Sequence, residues 1–220
     1  MNPHHQLLSK EELLALDGIA LEAIFTNISD LLLAQNQMLA TAESCTGGLI
    51  AGVCTDRAGS SQWFERGFVT YSNAAKSEML AVPRTLIDQH GAVSEPVARA
   101  MAEGALAHSA AQASVAVTGV AGPTGGSVDK PVGTVWLAWC VHGRTYSERQ
   151  HFAGDRAAVR AATVRHALVQ LAHLLGPIAT SSERLRTGGQ PACIQCHTCF
   201  NRLSPPPGTP CGAEPVREMG

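Results

Sequence analysis

Ala42-Glu43-Ser44-Cys45-Thr46-Gly47-Gly48 follows the apolar run Met38-Leu39-Ala40 and precedes Leu49-Ile50-Ala51-Gly52-Val53. That order reads as a strand, a tight turn and a helix start, with two nucleophiles and two glycines inside the turn. N–H groups in the first turn of a helix lack intrahelical partners and point outward, where they can hold an anion or an oxyanion. A hydroxyl in the same turn sits beside them. Strand-turn-helix geometry serves nucleophilic enzymes and phosphate binders alike, so the turn alone leaves the chemistry open.

Outward from this turn, strands and helices interleave. Upstream, Ile24, Ile28, Leu31 and Leu32 recur at helical spacing between Ile19 and Leu33, and Ser9 stands as a cap before Glu11 and Glu12. Downstream, Gly67–Tyr71 reads as a strand, and Ser72 or Asn73 caps the short helix that carries Lys76. Pro83 opens another short helix, and Ser94-Glu95-Pro96 starts a longer one that runs to about Ser109. Ser114–Thr118 and Val135–Val141 are strands separated by a glycine-rich loop, and His142-Gly143 turns the second into Tyr146–Phe152. Asp155 caps the last helix, along which Val164, Leu168, Leu171 and Leu175 keep helical spacing until Gly176-Pro177. The prediction is an α/β fold with a mixed sheet and helices on both faces.

Composition narrows the function classes. Charged residues make up 15% of the 220, against a usual ~25%, and alanine and glycine take their place, which points to close helix packing. A net charge of −2 carries no basic footprint for nucleic acid. No apolar run reaches the roughly 18 residues of a membrane span, and the first residues lack the pattern of a signal peptide. Seven cysteines, an odd number, argue for reduced thiols, and we read the chain as cytoplasmic.

After Pro177 the apolar periodicity stops and glycine, proline and serine dominate, so residues 177–220 are expected to be a disordered tail. Cys193, Cys196 and Cys199, with His197 and Cys211 nearby, invite a zinc or iron-sulfur reading. Their spacing matches no standard knuckle, and no strand or helix flanks them. No metal site is therefore expected there.

Four segments stand at strand ends, where ligands collect in open α/β sheets: Glu43–Gly48, Tyr71–Lys76, Thr118–Gly126 and Gly154-Asp155-Arg156. Ser44 needs a base to become a nucleophile, and none of the nine histidines falls in these turns. Lys76 is the candidate, since a desolvated lysine loses its proton and serine-lysine pairs are a known variant; Tyr71 could relay the proton. Each has a plainer role open to it. Lys76 also reads as a solvated helix lysine, Ser44 as a helix cap and Cys45 as an inert buried thiol. The loop Gly119-Val120-Ala121-Gly122-Pro123-Thr124-Gly125-Gly126 lacks the Gly-Lys-Ser/Thr of a Walker loop, though its glycines would let backbone approach a ligand. Arg156 is unfavourably placed for the helix dipole, which a phosphate or carboxylate partner would explain, with a solvent-facing arginine as the plainer alternative. The expected substrate contacts are Thr46, Gly47, Gly48, Asn73, Thr118, Gly119, Gly122 and Arg156.

The ordered set Ala42–Gly48, Gly59-Ser60-Ser61, Phe64-Glu65-Arg66-Gly67, Tyr71-Ser72-Asn73, His90-Gly91-Ala92-Val93-Ser94, Gly119–Pro123 and Lys130-Pro131-Val132-Gly133-Thr134-Val135 closely resembles the CinA C-terminal domain family. The resemblance spans about Leu21 to Leu175, leaving residues 1–20 as an extension and 177–220 as a tail. It implies a three-layer α/β/α sandwich, often dimeric, with nicotinamide-nucleotide amidohydrolase activity and no cofactor. It maps the nucleophile to Ser44, with Lys76 and Tyr71 as activating partners. Many members carry a larger N-terminal domain, so the short extension implies the stand-alone form. The alternative is a non-catalytic nucleotide- or partner-binding module of the same fold, linked to competence or DNA repair.

Overall fold

The computed structural model describes residues 6–176; the tail expectations, including the cysteine cluster, lie outside them. The chain divides into Met1–Thr180 and Ser181–Gly220, and every described residue belongs to the first unit. Its elements are α1 (Lys10–Ala15), α2 (Leu21–Ala34), β1 (Leu39–Glu43), α3 (Leu49–Thr55), β2 (Phe64–Val69), α4 (Asn73–Leu80), α5 (Arg84–His90), α6 (Glu95–Ala107), β3 (Ala113–Gly119), β4 (Thr134–Val141), β5 (Arg144–His151) and α7 (Arg156–Leu175).

One five-stranded mixed sheet runs in the order β2-β1-β3-β4-β5. The parallel trio β2-β1-β3 meets the antiparallel pair β4-β5 across the β3–β4 ladder. Strand alternation sorts the two faces by size. Leu39, Val115, Val117, Val135, Leu137, Trp139 and Val141 pack with residues of α2, α3 and α7. The other face presents Ala40, Ala42, Ala116, Ala138 and Cys140 to α4, α5 and α6. Small side chains let α6 lie close over β3 and β4, which is where the low charge and high alanine content are spent. Gly104 of α6 meets the Leu80 backbone so closely that a Cβ would collide with the Leu80 carbonyl. The result is a three-layer α/β/α sandwich.

Two boundaries differ from the sequence reading. The first strand continues through Glu43, into the stretch read as the turn, because β2 and β3 pair with it on both sides to that residue. The second strand is Phe64–Val69, three residues earlier than the apolar pattern indicates. Gly67 looks like a strand start but lies inside one, facing β1: a Cβ there would sit 2.9 Å from Thr41 Oγ1. Ser94 does occupy the N-cap of α6, yet its hydroxyl turns back to the Gly91 carbonyl at 2.8 Å. Residues 6–20 lie against α7: Arg165 holds the Leu16, Asp17 and Ile19 carbonyls, and Gln170 bonds both the N–H and the carbonyl of Leu8.

Candidate active site

The C-terminal ends of the three parallel strands converge at Ser44, Thr70 and Gly119. Helix α3 leaves β1 on one face of the sheet and α4 leaves β2 on the other, so a crevice opens between them. Ser44, Cys45, Tyr71, Asn73, Lys76, Ala92, Val93, Thr118, Gly119, Ala121 and Arg156 line it, around about 230 Å³. A larger hollow of about 460 Å³ beside Phe25 and Arg57 holds none of the site residues singled out from the sequence.

The turn after β1 is built by Glu43. Its side chain is fully buried and accepts three backbone N–H groups, from Gly48 (3.0 Å), Ile50 (3.0 Å) and Ala51 (2.8 Å). Gly48 precedes α3 with φ 96°, which a glycine adopts without strain. These donors were expected to face a ligand; they face a carboxylate of the chain itself. Gly47 N–H is also taken, by the Ser44 carbonyl at 3.1 Å, and Ser44 N–H reaches Val117 O at 3.0 Å. The Gly47 and Gly48 N–H groups are thus already paired within the chain. Neither they nor Thr46 and Gly122 line the crevice.

Lys76 comes from the first turn of α4, a helix capped by Ser72, whose Oγ accepts Ala75 N–H at 3.0 Å. Its side chain runs inward and is 1% exposed. Nζ donates to Ser44 Oγ at 3.0 Å and to the Thr70 carbonyl at 2.9 Å. Among the described residues no carboxylate pairs with it. Burial therefore pushes the Lys76 pKa down, because desolvation penalises the ammonium form. Neutral, the amine can take the proton of the hydroxyl it touches. Next door, Cys45 behaves in the opposite sense: burial, aided by the negative Glu43, pushes its thiol up to about 11 and leaves it protonated.

Tyr71 is placed differently from the sequence expectation. Its ring is 61% exposed, and its hydroxyl accepts from Arg156 Nη2 at 3.0 Å. Arg156 Nη1 donates to the Gly122 carbonyl at 2.9 Å. Thr118, also expected to contact substrate, lies in the crevice wall with its hydroxyl donating to the Ala92 carbonyl at 2.9 Å. Glu43 and Arg160, whose Nη2 holds the Thr46 carbonyl at 2.7 Å, were not singled out from sequence. A glutamate at a strand end, five to eight residues before the N–H donors it meets, is the available signal for the first. The second has none, being 114 residues away from its partner in the chain.

Among the described residues no group of three or more His, Cys, Asp and Glu side chains could hold a metal ion, and no helix is long and apolar enough to cross a membrane. The nicotinamide-nucleotide amidohydrolase PncC of Pseudomonas putida is 56% identical over 149 residues, covering 68% of this chain and 93% of that protein. Its counterpart in Escherichia coli K12 is 52% identical over 145 residues, covering 66% and 88%. A crystal structure of a competence-damaged protein (CinA) superfamily protein from Escherichia coli superposes with a TM-score of 0.70 at 37% identity, covering 79% of this chain and 99% of that one. The family model for the CinA C-terminal domain matches residues 21–175, and the chain belongs to that family.

Proposed function

We propose that this chain hydrolyses the carboxamide of nicotinamide mononucleotide, giving nicotinate mononucleotide and ammonia. The observation that carries the reading is the contact between a buried lysine without a carboxylate partner and the Ser44 hydroxyl. The names of the two PncC relatives supply the substrate. A solvated helix lysine, the plain role open to Lys76, is incompatible with its 1% exposure.

In this scheme neutral Lys76 accepts the Ser44 proton as Oγ attacks the amide carbon. The Thr70 carbonyl keeps the amine aimed at Oγ. Negative charge grows on the amide oxygen, and the donor left for it on the crevice side of the turn is the Cys45 N–H, since the Ser44, Gly47 and Gly48 N–H groups are spent. The C–N bond breaks as Lys76 returns its proton to the nitrogen, and ammonia leaves an acyl-Ser44 ester. Water then attacks the ester, with Lys76 again the base, and nicotinate mononucleotide is released. Tyr71 assists the proton transfer, and Arg156 with the Gly119–Gly122 backbone receives the substrate phosphate. Asn73 lies on the same crevice wall and faces the nucleotide. The chain's own residues carry every step.

Ammonia release from nicotinamide mononucleotide by the purified chain tests the reading. Turnover that disappears in Ser44→Ala supports it. A well-folded chain that binds the nucleotide and releases no ammonia would leave a binding module instead. The elements that form the site all lie within residues 21–176, so removing 177–220 should leave turnover unchanged. A loss on truncation would assign the tail a part in the reaction.

A further inference from the structure

Arg156 is the first residue of α7 and has no carboxylate partner among the described residues. Its neighbour Asp155 is turned into the helix, where it accepts Ala158 N–H at 2.9 Å. The guanidinium spans the mouth of the crevice, one nitrogen on the loop after β3 and the other on the turn after β2. The acceptor on the second side is a neutral phenol on an exposed ring. The Ser44–Lys76 contact therefore stands complete without Tyr71, although Tyr71 lines the same crevice.

We propose that the Arg156–Tyr71 hydrogen bond is a latch opened by the substrate phosphate: phosphate takes the guanidinium, and the released tyrosine hydroxyl turns toward Ser44 and Lys76. This rests on the amidohydrolase reading and adds to it a source of specificity. A phosphate presents several charged oxygens to a fork of N–H donors and outcompetes a single neutral hydroxyl for them. The site at the start of α7 favours the exchange, because the helix dipole opposes a bare cation there and welcomes an anion beside it. Binding energy from the remote phosphate is then spent on assembling the reacting groups, so it raises turnover as well as affinity. A nucleoside with the same carboxamide binds without opening the latch and reacts with the tyrosine still parked.

The test compares nicotinamide mononucleotide with nicotinamide riboside, which lacks the phosphate, with and without added inorganic phosphate. The proteins are the full chain, Arg156→Ala and Tyr71→Phe. For the full chain, kcat on the riboside should be about tenfold or more below kcat on the mononucleotide, and inorganic phosphate should restore part of it. In Arg156→Ala the tyrosine is already free, so kcat on the riboside should rise by about threefold and lose its response to phosphate. Tyr71→Phe should abolish the phosphate effect on kcat while keeping the effect on KM. Riboside turnover that stays level or falls in Arg156→Ala, with the mononucleotide defect confined to KM, would overturn the latch and leave Arg156 a phosphate clamp. A direct readout separates this from failure of the proposed reaction. Inorganic phosphate should change the near-ultraviolet tyrosine absorbance of the full chain and not of Tyr71→Phe. No change would overturn the latch even if ammonia release is normal; a change without ammonia release would keep it and refute the amidohydrolase reading.

Discussion

Two hydrogen-bonded pairs face one crevice under opposite physical conditions. Lys76 and Ser44 are buried, fixed from behind by the Thr70 carbonyl and by the Glu43-braced turn. Arg156 and Tyr71 lie at the rim, hydrogen-bonded directly to each other and exposed to solvent. Burial gives the inner pair an altered proton affinity and a single geometry. Exposure leaves the outer pair free to change partners. In the proposed scheme the inner pair serves the chemistry and the outer one recognition, and that contrast is open to direct attack.

The largest effect belongs to the inner pair. Lys76→Ala and Ser44→Ala should each lower kcat for ammonia release by about 10³-fold or more, in line with loss of a base or nucleophile. Lys76→Arg should not rescue, since a guanidinium donates hydrogen bonds but does not give up its proton. Substantial activity in Lys76→Arg would mean that the lysine acts by its charge, and the distinction between the pairs would collapse.

The same burial sets the pH dependence. Lys76 has a folded-state pKa below that of free lysine, which is about 10.4. Activity should therefore rise with pH as Lys76 loses its proton, with a midpoint below the free-lysine value. Between the folded and unfolded values the unfolded chain binds one more proton than the folded one, so stability rises with pH across that window. Above about 10.4 both states are neutral and the contribution levels off. Denaturant midpoints measured against pH should show this slope in the full chain and lose it in Lys76→Met. The methionine variant should also be the more stable protein at neutral pH, because it removes the cost of a buried amine.

A smaller loss is expected at Glu43, which holds the inner pair without touching it. Glu43→Gln turns amide hydrogens toward N–H groups that need an acceptor, costing about 1–3 kcal/mol of stability. The turn loosens with it, and kcat should fall by about tenfold to a hundredfold while KM changes little. Thermal unfolding and steady-state kinetics on the folded fraction check both. A stability loss with unchanged kcat would show that Ser44 is held by Lys76 alone.

These features were unevenly legible in the sequence. The strand-turn-helix at Ala42–Gly48 and the alternation of strands and helices are local patterns, and the sheet with helices on both faces follows from them. The start of β2 was not, since Gly67 resembles a boundary until β1 is laid against it and Thr41 claims the space of a side chain. Lys76 could be read as a base or as a surface helix lysine, because a helix pattern does not tell which face meets a crevice. Proximity in the chain drew Tyr71 toward Lys76, whereas its hydroxyl meets an arginine 85 residues further on. Glu43 is signalled only by its place at a strand end, because its partners are backbone groups, whose residue types carry no signature.

The smallest effect should come from Cys45, adjacent to Ser44 and lining the same crevice. Thiols are intrinsically better nucleophiles than hydroxyls, so the comparison demands a reason why this one stands idle. Two are at hand. Among the described residues no amine or imidazole donates to or accepts from its sulfur in the way that Lys76 meets Ser44 Oγ, and burial beside Glu43 pushes its thiol up to about 11. At neutral pH almost none of it is thiolate, the form that reacts. Cys45→Ala should therefore keep kcat within about threefold of the full chain, the change being one of packing against the crevice wall. Iodoacetamide at neutral pH should leave activity intact. If Cys45→Ala abolished ammonia release while Ser44→Ala kept it, the nucleophile would be the thiol, and the buried lysine would have been serving the wrong neighbour in this scheme.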